Sequence, residues 1–513
     1  MSQAESNKSK RIIKNTGLLY IRMILVILLK LYTSRIALDV LGFTDFGIYN
    51  LVAGLIVLFS FLNSSMSGAS IRFFTTAMGK SDNALFQKYY STSICVHFII
   101  GVIAVVLAES IGMYYFYDLN IPPERMNSAF IVYQISILFS LFDIIKSPFN
   151  AYIIAHEKMS FYSYVSVLEV LMGLMTAFAI KYVTTDKLIT YSALIALSGA
   201  ITLTLYVVYC NRYFKEISLK IRFYKNIIIE IITFVAWSVS SSFANIFSKQ
   251  AFNVLINIFY GVMLNASIAI MNQVTVAING FVQNFQMAIN PQIFKSFASN
   301  DTEYLQRLFL SSAKISFFLL WIIALPFILC MDEILNLWLT EVPPYTAAFC
   351  VISLIALMPN SIGGAIWTVI QASGNIKRYQ VVICVITLLN VPCFYFLFKT
   401  IDIPYVAYIS TIVSNVIIVI CGFNLAKGYI KLSFVDFFRN VLNPIMRVLV
   451  IGSIIPIVFS YSNINYCSHF IQILIIGIVS ILSVGSTIYL TGLSLSEKRF
   501  VSKKVKSIFH RHE

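Results

Sequence analysis

The feature that most constrains this chain is a succession of apolar runs, each about twenty residues long, separated by short polar links. A stretch of ~20 apolar residues is what a helix needs to cross a ~30 Å hydrocarbon layer. Such runs begin near residues 12, 46, 91, 126, 161, 188, 227, 257, 312, 345, 379, 403, 441 and 468. The chain therefore reads as an all-α integral membrane protein of about fourteen transmembrane helices. A β-barrel would instead show alternating segments of ~10 residues. Composition agrees: 59% of the residues are hydrophobic and 12% charged, against ~25% charged in soluble domains.

The Lys and Arg residues set the expected orientation. Most of the 37 fall at the N-terminus, in alternate loops and in the tail, for example Lys8 to Lys14, residues 212–225 and residues 498–511. By the positive-inside rule both termini are cytoplasmic. The net charge of +15 is then a topological signal and no footprint of nucleic acid, although the basic tail suits anionic lipid. The first apolar run, interrupted by Arg22 and Lys30, is no secretory signal. Eight scattered cysteines form no CxxC or Cys/His cluster, so neither disulfides nor a metal are expected. No Walker, HExxH or GxSxG motif is present, and the short loops leave no room for a soluble catalytic domain. An enzyme is not expected.

The chain repeats itself. "FLNSSMSGASIRFFTTAMGKSDNALFQKYYST" from Phe61 lies on "FVQNFQMAINPQIFKSFASNDTEYLQRLFLSS" from Phe281 at an offset of 220. "AHEKMSFYS" from Ala155 lies on "ASGNIKRYQ" at 217. These matches predict two parallel six-helix lobes, residues 1–220 and 221–436, followed by two extra helices (437–495) and a basic cytoplasmic tail (496–513).

Polar residues line up along several spans. "WSVSSSFANIFSK", Trp237 to Lys249, carries a wet stripe that includes Asn245 and Lys249. The next span places Asn265, Asn272, Asn279 and Gln286 at intervals of seven, joined by Gln283 and Asn290. In the first half, Ser60, Asn63, Ser64, Ser67 and Ser70 share a face, as do Asn15, Arg22, Lys30 and Thr33. Isolated Ser or Asn in a span is ordinary interhelical glue, but stripes of this length predict a water-filled central cavity. An offset of 219 carries Lys30 onto Lys249 and Gly42 onto Gly261, which makes the expected cavity basic. Such a cavity selects an anion, most economically phosphate or pyrophosphate, while its hydroxyl and amide groups suit sugars. Glu169, Asp143 and Glu109 are the carboxylates within spans and are candidates for carrying a coupling H⁺ or Na⁺.

Residues 15 to 74, "NTGLLYIRMILVILLKLYTSRIALDVLGFTDFGIYNLVAGLIVLFSFLNSSMSGASIRFF", together with "IQASGNIKRYQVV" at 370 to 382, resemble the polysaccharide and O-antigen repeat-unit flippases of the multidrug/oligosaccharidyl-lipid/polysaccharide (MOP) exporter superfamily. The resemblance implies alternating access and export of undecaprenyl-pyrophosphate-linked oligosaccharide to the outer leaflet of the bacterial inner membrane, as in lipopolysaccharide assembly. The last two helices would form a lipid-tail groove. It implies cargo contacts at Arg22 and Lys30 in the first lobe and Lys249 in the second. Asn63, Asn245, Asn272, Asn279 and Gln283 complete the expected substrate-binding set. No tight cofactor is expected. Lipid-linked oligosaccharide, membrane lipid and other polysaccharide-assembly membrane proteins are the expected partners. A multidrug cation antiporter of the same superfamily and a membrane-embedded glycan polymerase or ligase are the alternatives.

Overall fold

The structure is a computed structural model; it describes residues 3–57, 60–117, 121–213, 224–260, 263–339, 342–461, 469–495 and 497–499. Among these residues every regular element is a helix. In chain order they are α1 (Gln3–Val57), α2 (Ser60–Gly79), α3 (Asn83–Leu107), α4 (Met113–Tyr117), α5 (Met126–Ala155), α6 (Met159–Ala179), α7 (Lys187–Tyr213), α8 (Lys225–Tyr260) and α9 (Met263–Ala298). There follow α10 (Thr302–Leu329), α11 (Met331–Trp338), α12 (Thr346–Ser373), α13 (Lys377–Thr400), α14 (Ile409–Ile430), α15 (Phe434–Phe437), α16 (Asn443–Tyr461) and α17 (His469–Thr487).

Eleven helical segments among the described residues are long and apolar enough to cross a membrane. Of the three other spans expected from the sequence, the one near 12 falls on α1, the one near 46 on the end of α1 and the start of α2, and the one near 257 on the end of α8 and the start of α9. In α9 the nine Asn and Gln side chains lower the mean hydropathy. Within α1 the chain breaks at Gly42, whose φ of 78° and ψ of 169° are open to glycine at little cost.

The chain divides into two compact units. The first comprises residues up to Ser242 with Phe294–Ser299, and the second comprises Phe243–Ile293 with the chain from Asn300 onwards. In the first unit α5 packs along α7, α2 and α3, and α1 along α6. Its core gathers Val52, Phe116, Val132, Tyr133 and Leu188, and the buried Tyr133 hydroxyl donates to the Ala108 carbonyl at 2.7 Å. Lys295, in the α9 segment that belongs to this unit, reaches the buried Glu157 carboxylate at 2.7 Å. In the second unit α12 packs on α10 and α14, and α16 on α17. Its core is largely aliphatic and includes an aromatic group, with Phe252 at 4.9 Å from Phe394 between ring centroids. Large apolar side chains along α16, among them Ile451, Ile454, Ile455 and Val458, stay exposed, as lipid-facing surface requires.

The internal repeat reappears in turn geometry. Ser81 and Asn300 both adopt positive φ, 55° and 57°. The following aspartates both cap a helix: Asp82 accepts from the Leu85 N–H at 2.9 Å and Asp301 from the Tyr304 N–H at 3.2 Å. The structural offset here is 219, one less than the 220 that aligns the sequences. At the second match, Glu157 (φ 58°) and Gly374 (φ 78°) keep the offset of 217.

Candidate functional site

In the second unit, three of the expected substrate-binding residues come together. Asn245 and Lys249 of α8 and Asn272 of α9 line a cavity of about 80 Å³. Helical spacing explains the first two, since residues four apart share a face. The opposite wall comes from α13 and α14, where Thr387 and Asn390, three apart, and Thr411 and Asn415, four apart, likewise share a helix face. Phe252, Phe394 and Tyr408 supply aromatic surface. These rings belong to the core or pack against it, which holds the cavity on a rigid base. Asn390 accepts from the Ser414 hydroxyl at 2.7 Å, and the Asn415 amide donates to the Ala356 carbonyl at 2.9 Å. Both amides are thereby oriented. Lys249 is the one charged residue in the described lining, and no carboxylate is among it. Asn279 and Gln283 lie further along α9 and do not line this cavity.

The serines of the α8 stripe behave differently from the expectation of a wholly wet face. Ser238 donates to the Phe234 carbonyl, Ser240 to that of Trp237, and Ser241 and Ser242 to that of Ser238. A hydroxyl that bonds back to its own helix needs no water. Of the five serines, Ser248 is the one that lines the cavity.

The first unit holds a second polar cluster. Arg22 of α1 donates through Nη1 to the Tyr162 hydroxyl at 3.1 Å and to the Ser166 Oγ at 3.5 Å, with its guanidinium carbon 4.8 Å from the Tyr162 ring centroid. One turn beyond Ser166 on α6, Glu169 accepts from the Lys146 ammonium at 3.4 Å, and the same ammonium lies 3.0 Å from Asp143. Lys146 is the most enclosed of the three, at 13% side-chain exposure. The cluster balances two cations, Arg22 and Lys146, against two carboxylates. Asp143 and Glu169 thus share Lys146 across the α5–α6 contact. Glu109 stands apart, exposed, accepting from Gln134 at 3.3 Å. Lys30 is likewise exposed. The side chain of Asn63 lies outside the described residues, as does that of Asn265.

Outside these two clusters, Arg125 closes a clasp in the first unit. Its Nε and Nη2 donate to both oxygens of Asp45 at 2.8 and 2.6 Å, and Nη1 and Nη2 to Asp186 at 2.8 and 3.2 Å. Burial alone would raise the Asp186 carboxyl, but hydrogen bonds from Arg125, Ser128 and the Ile189 N–H outweigh it and hold the group below its ordinary value.

No protein-family model matches the chain, and no curated protein matches it in sequence. Solved structures do match in fold. A multidrug resistance MATE family transporter of the MOP superfamily, in an outward-facing conformation, superposes with a TM-score of 0.73 at 14% identity, over 83% of this chain and 96% of the other. A MATE structure in a bent conformation gives 0.72 at 15% identity with the same coverage. A MOP superfamily transporter from Pyrococcus furiosus, for which a reversed polarity of the binding pocket suggests a different function, gives 0.71 at 14% identity, again over 83% and 96%.

Proposed function

From this shared transporter fold, we propose that the chain is a flippase for an anionic, sugar-bearing amphiphile. An undecaprenyl-pyrophosphate-linked oligosaccharide is the cargo the cavity chemistry suits best. It would act in the bacterial inner membrane with both termini cytoplasmic, by ion-coupled alternating access. The observation that carries this reading is the lining of the second unit's cavity. One ammonium, five asparagines and four hydroxyl-bearing side chains, with aromatic rings beside them, match a glycan next to a phosphate. A cationic drug would meet Lys249 and no carboxylate there. Lys249 would neutralise phosphate charge as Arg22 and Lys30 do in the first unit. Asn245 and Asn272 would bind sugar hydroxyls in this cavity. Asn63, Asn279 and Gln283 would do so elsewhere along the path. Glu169 and Asp143, both on the Lys146 ammonium, are the proposed coupling carboxylates, with Glu109 a further one.

A second reading rests on a specific observation. The solved structures that match include a multidrug resistance transporter, and on fold alone a drug and cation exporter has the stronger support. The carboxylates of the first unit would then bind the cation. Charge inversion separates the two. Lys249→Glu should abolish surface glycan while leaving cationic-drug sensitivity unchanged. Raised drug sensitivity with normal surface glycan would overturn the flippase reading in favour of the exporter.

A further inference from the structure

Arg72 of α2 stands outside both clusters. It is 8% exposed, and its guanidinium carbon lies 4.5 Å from the Phe73 ring centroid and 5.1 Å from that of Phe234. Nε is fully enclosed without a hydrogen-bond partner. Among the described residues no acceptor reaches the rest of the fork, and no carboxylate comes within ion-pair distance. Glu230 of α8 is near enough to be felt electrostatically, but it is exposed and accepts instead from the Tyr89 hydroxyl at 3.4 Å. Two aromatic faces offset only part of the lost hydration of a guanidinium, and a buried charge without hydrogen bonds is the kind of group a structure retains for a ligand.

We propose that Arg72 is the receptor for a phosphate-type oxyanion in the first unit, with the Tyr89 hydroxyl as its auxiliary donor. The planar five-donor fork matches two oxygens of a phosphate. Phe73 and Phe234 pack against the guanidinium, and its burial already limits the freedom it has to lose on binding. Glu230 is the competitor: its carboxylate holds the Tyr89 donor and repels the anion, and binding requires it to turn outwards or take a proton. The inference deepens the cargo reading above and rests on it for the choice of phosphate. The same chemistry is offered by a lipid headgroup, and the test separates the two.

The full-length chain in zwitterionic nanodiscs is titrated with inorganic pyrophosphate and binding followed by thermal stabilisation. A second set of nanodiscs contains phosphatidic acid and no pyrophosphate. Arg72→Gln should weaken pyrophosphate binding about tenfold or more, and Arg72→Lys, which keeps the charge and loses the fork, by less. Glu230→Gln should tighten binding about threefold by removing the like charge. That opposite sign keeps the test informative if Arg72→Gln fails to fold, because a merely structural Arg72–Glu230 attraction predicts no gain. Stabilisation confined to the phosphatidic acid discs and lost in Arg72→Gln would assign the oxyanion to a lipid headgroup. A pyrophosphate response indifferent to Arg72, or unchanged or weakened affinity in Glu230→Gln, overturns the site. Silence in both sets of discs does the same. Arg72-dependent binding in a chain that exports no lipid-linked glycan would refute the cargo reading alone, and normal export without such binding would refute the site alone.

Discussion

Removing Arg125 should loosen the first unit by an amount the clasp allows to be estimated. Arg125→Ala deletes four charge-assisted hydrogen bonds and strands Asp45 and Asp186, which are 20% and 25% exposed. Breaking a fully buried pair in this way costs about 3–5 kcal/mol. Here the cost should be smaller, because water reaches both carboxylates and Asp186 keeps its bonds from Ser128 at 2.7 Å and the Leu188 N–H at 3.0 Å. We expect about 2–3 kcal/mol for Arg125→Ala, and about 1–2 kcal/mol for Arg125→Lys, which retains charge but not the double fork. Thermal unfolding of the detergent-purified chain should therefore rank wild type above Arg125→Lys above Arg125→Ala. Adding Asp45→Asn to Arg125→Ala should recover part of the loss, since it neutralises one stranded charge. The pH dependence has a definite sign. Asp186 is held below its ordinary value, so its contribution is complete above about pH 4 and disappears as pH falls through the lower folded value. The difference between wild type and Asp186→Asn should shrink on acidification. An Arg125→Ala chain that unfolds with wild type, or a difference that grows in acid, would refute this account of the clasp.

Three further outcomes follow from particular contacts. Glu497 accepts from Lys314 at 2.7 Å, and the Lys314 side chain is 6% exposed. Burial would raise the Glu497 carboxyl, but Lys314, the Ser494 N–H and Ser311 hold it below the usual range. Glu497→Gln should destabilise the second unit by about 2–4 kcal/mol, a penalty seen at neutral pH in thermal unfolding and fading as acid protonates the wild-type carboxylate. Gly79→Ala would set a methyl 2.6 Å from the Ala298 Cβ and 2.7 Å from the Lys295 carbonyl oxygen; the backbone must shift, and a loss of about 1–3 kcal/mol should appear in the same assay. Glu169→Gln should leave the fold intact, because Asp143 still holds Lys146, while reducing ion-driven transport in proteoliposomes about tenfold or more; unchanged transport would remove Glu169 from coupling.

How far the sequence discloses this arrangement depends on the kind of contact. Asn245, Lys249 and Asn272 are legible as one site because helical periodicity orders each face, and periodicity is written locally. The wall they meet is not: Asn390 and Asn415 belong to helices more than a hundred residues away, and nothing in the spacing of α8 points to them. The signal lies in the Thr387–Asn390 and Thr411–Asn415 pairs, three and four residues apart, each of which makes a short polar helix face. The sharing of Lys146 by Asp143 and Glu169, and the seat of Arg22 on Tyr162, are set by the packing of α1, α5 and α6. The serine stripe misleads for the opposite reason, since a hydroxyl can be satisfied by the carbonyl one turn back and then reports no solvent. Hydropathy likewise gives α9 less weight than its helix warrants, because its nine Asn and Gln side chains make it polar. The repeat survives best at turns, where Asp82 and Asp301 cap helices in the same way although few neighbouring residues agree.

The central claim is that the cargo is an anionic lipid-linked glycan, and the most direct measurement is mass spectrometry of the lipid-linked pool in cells depleted of this protein. The account predicts accumulation of an undecaprenyl-pyrophosphate oligosaccharide, cleared by the wild-type chain and left in place by Lys249→Glu. An unchanged pool in depleted cells, accompanied by heightened sensitivity to cationic drugs, would contradict it.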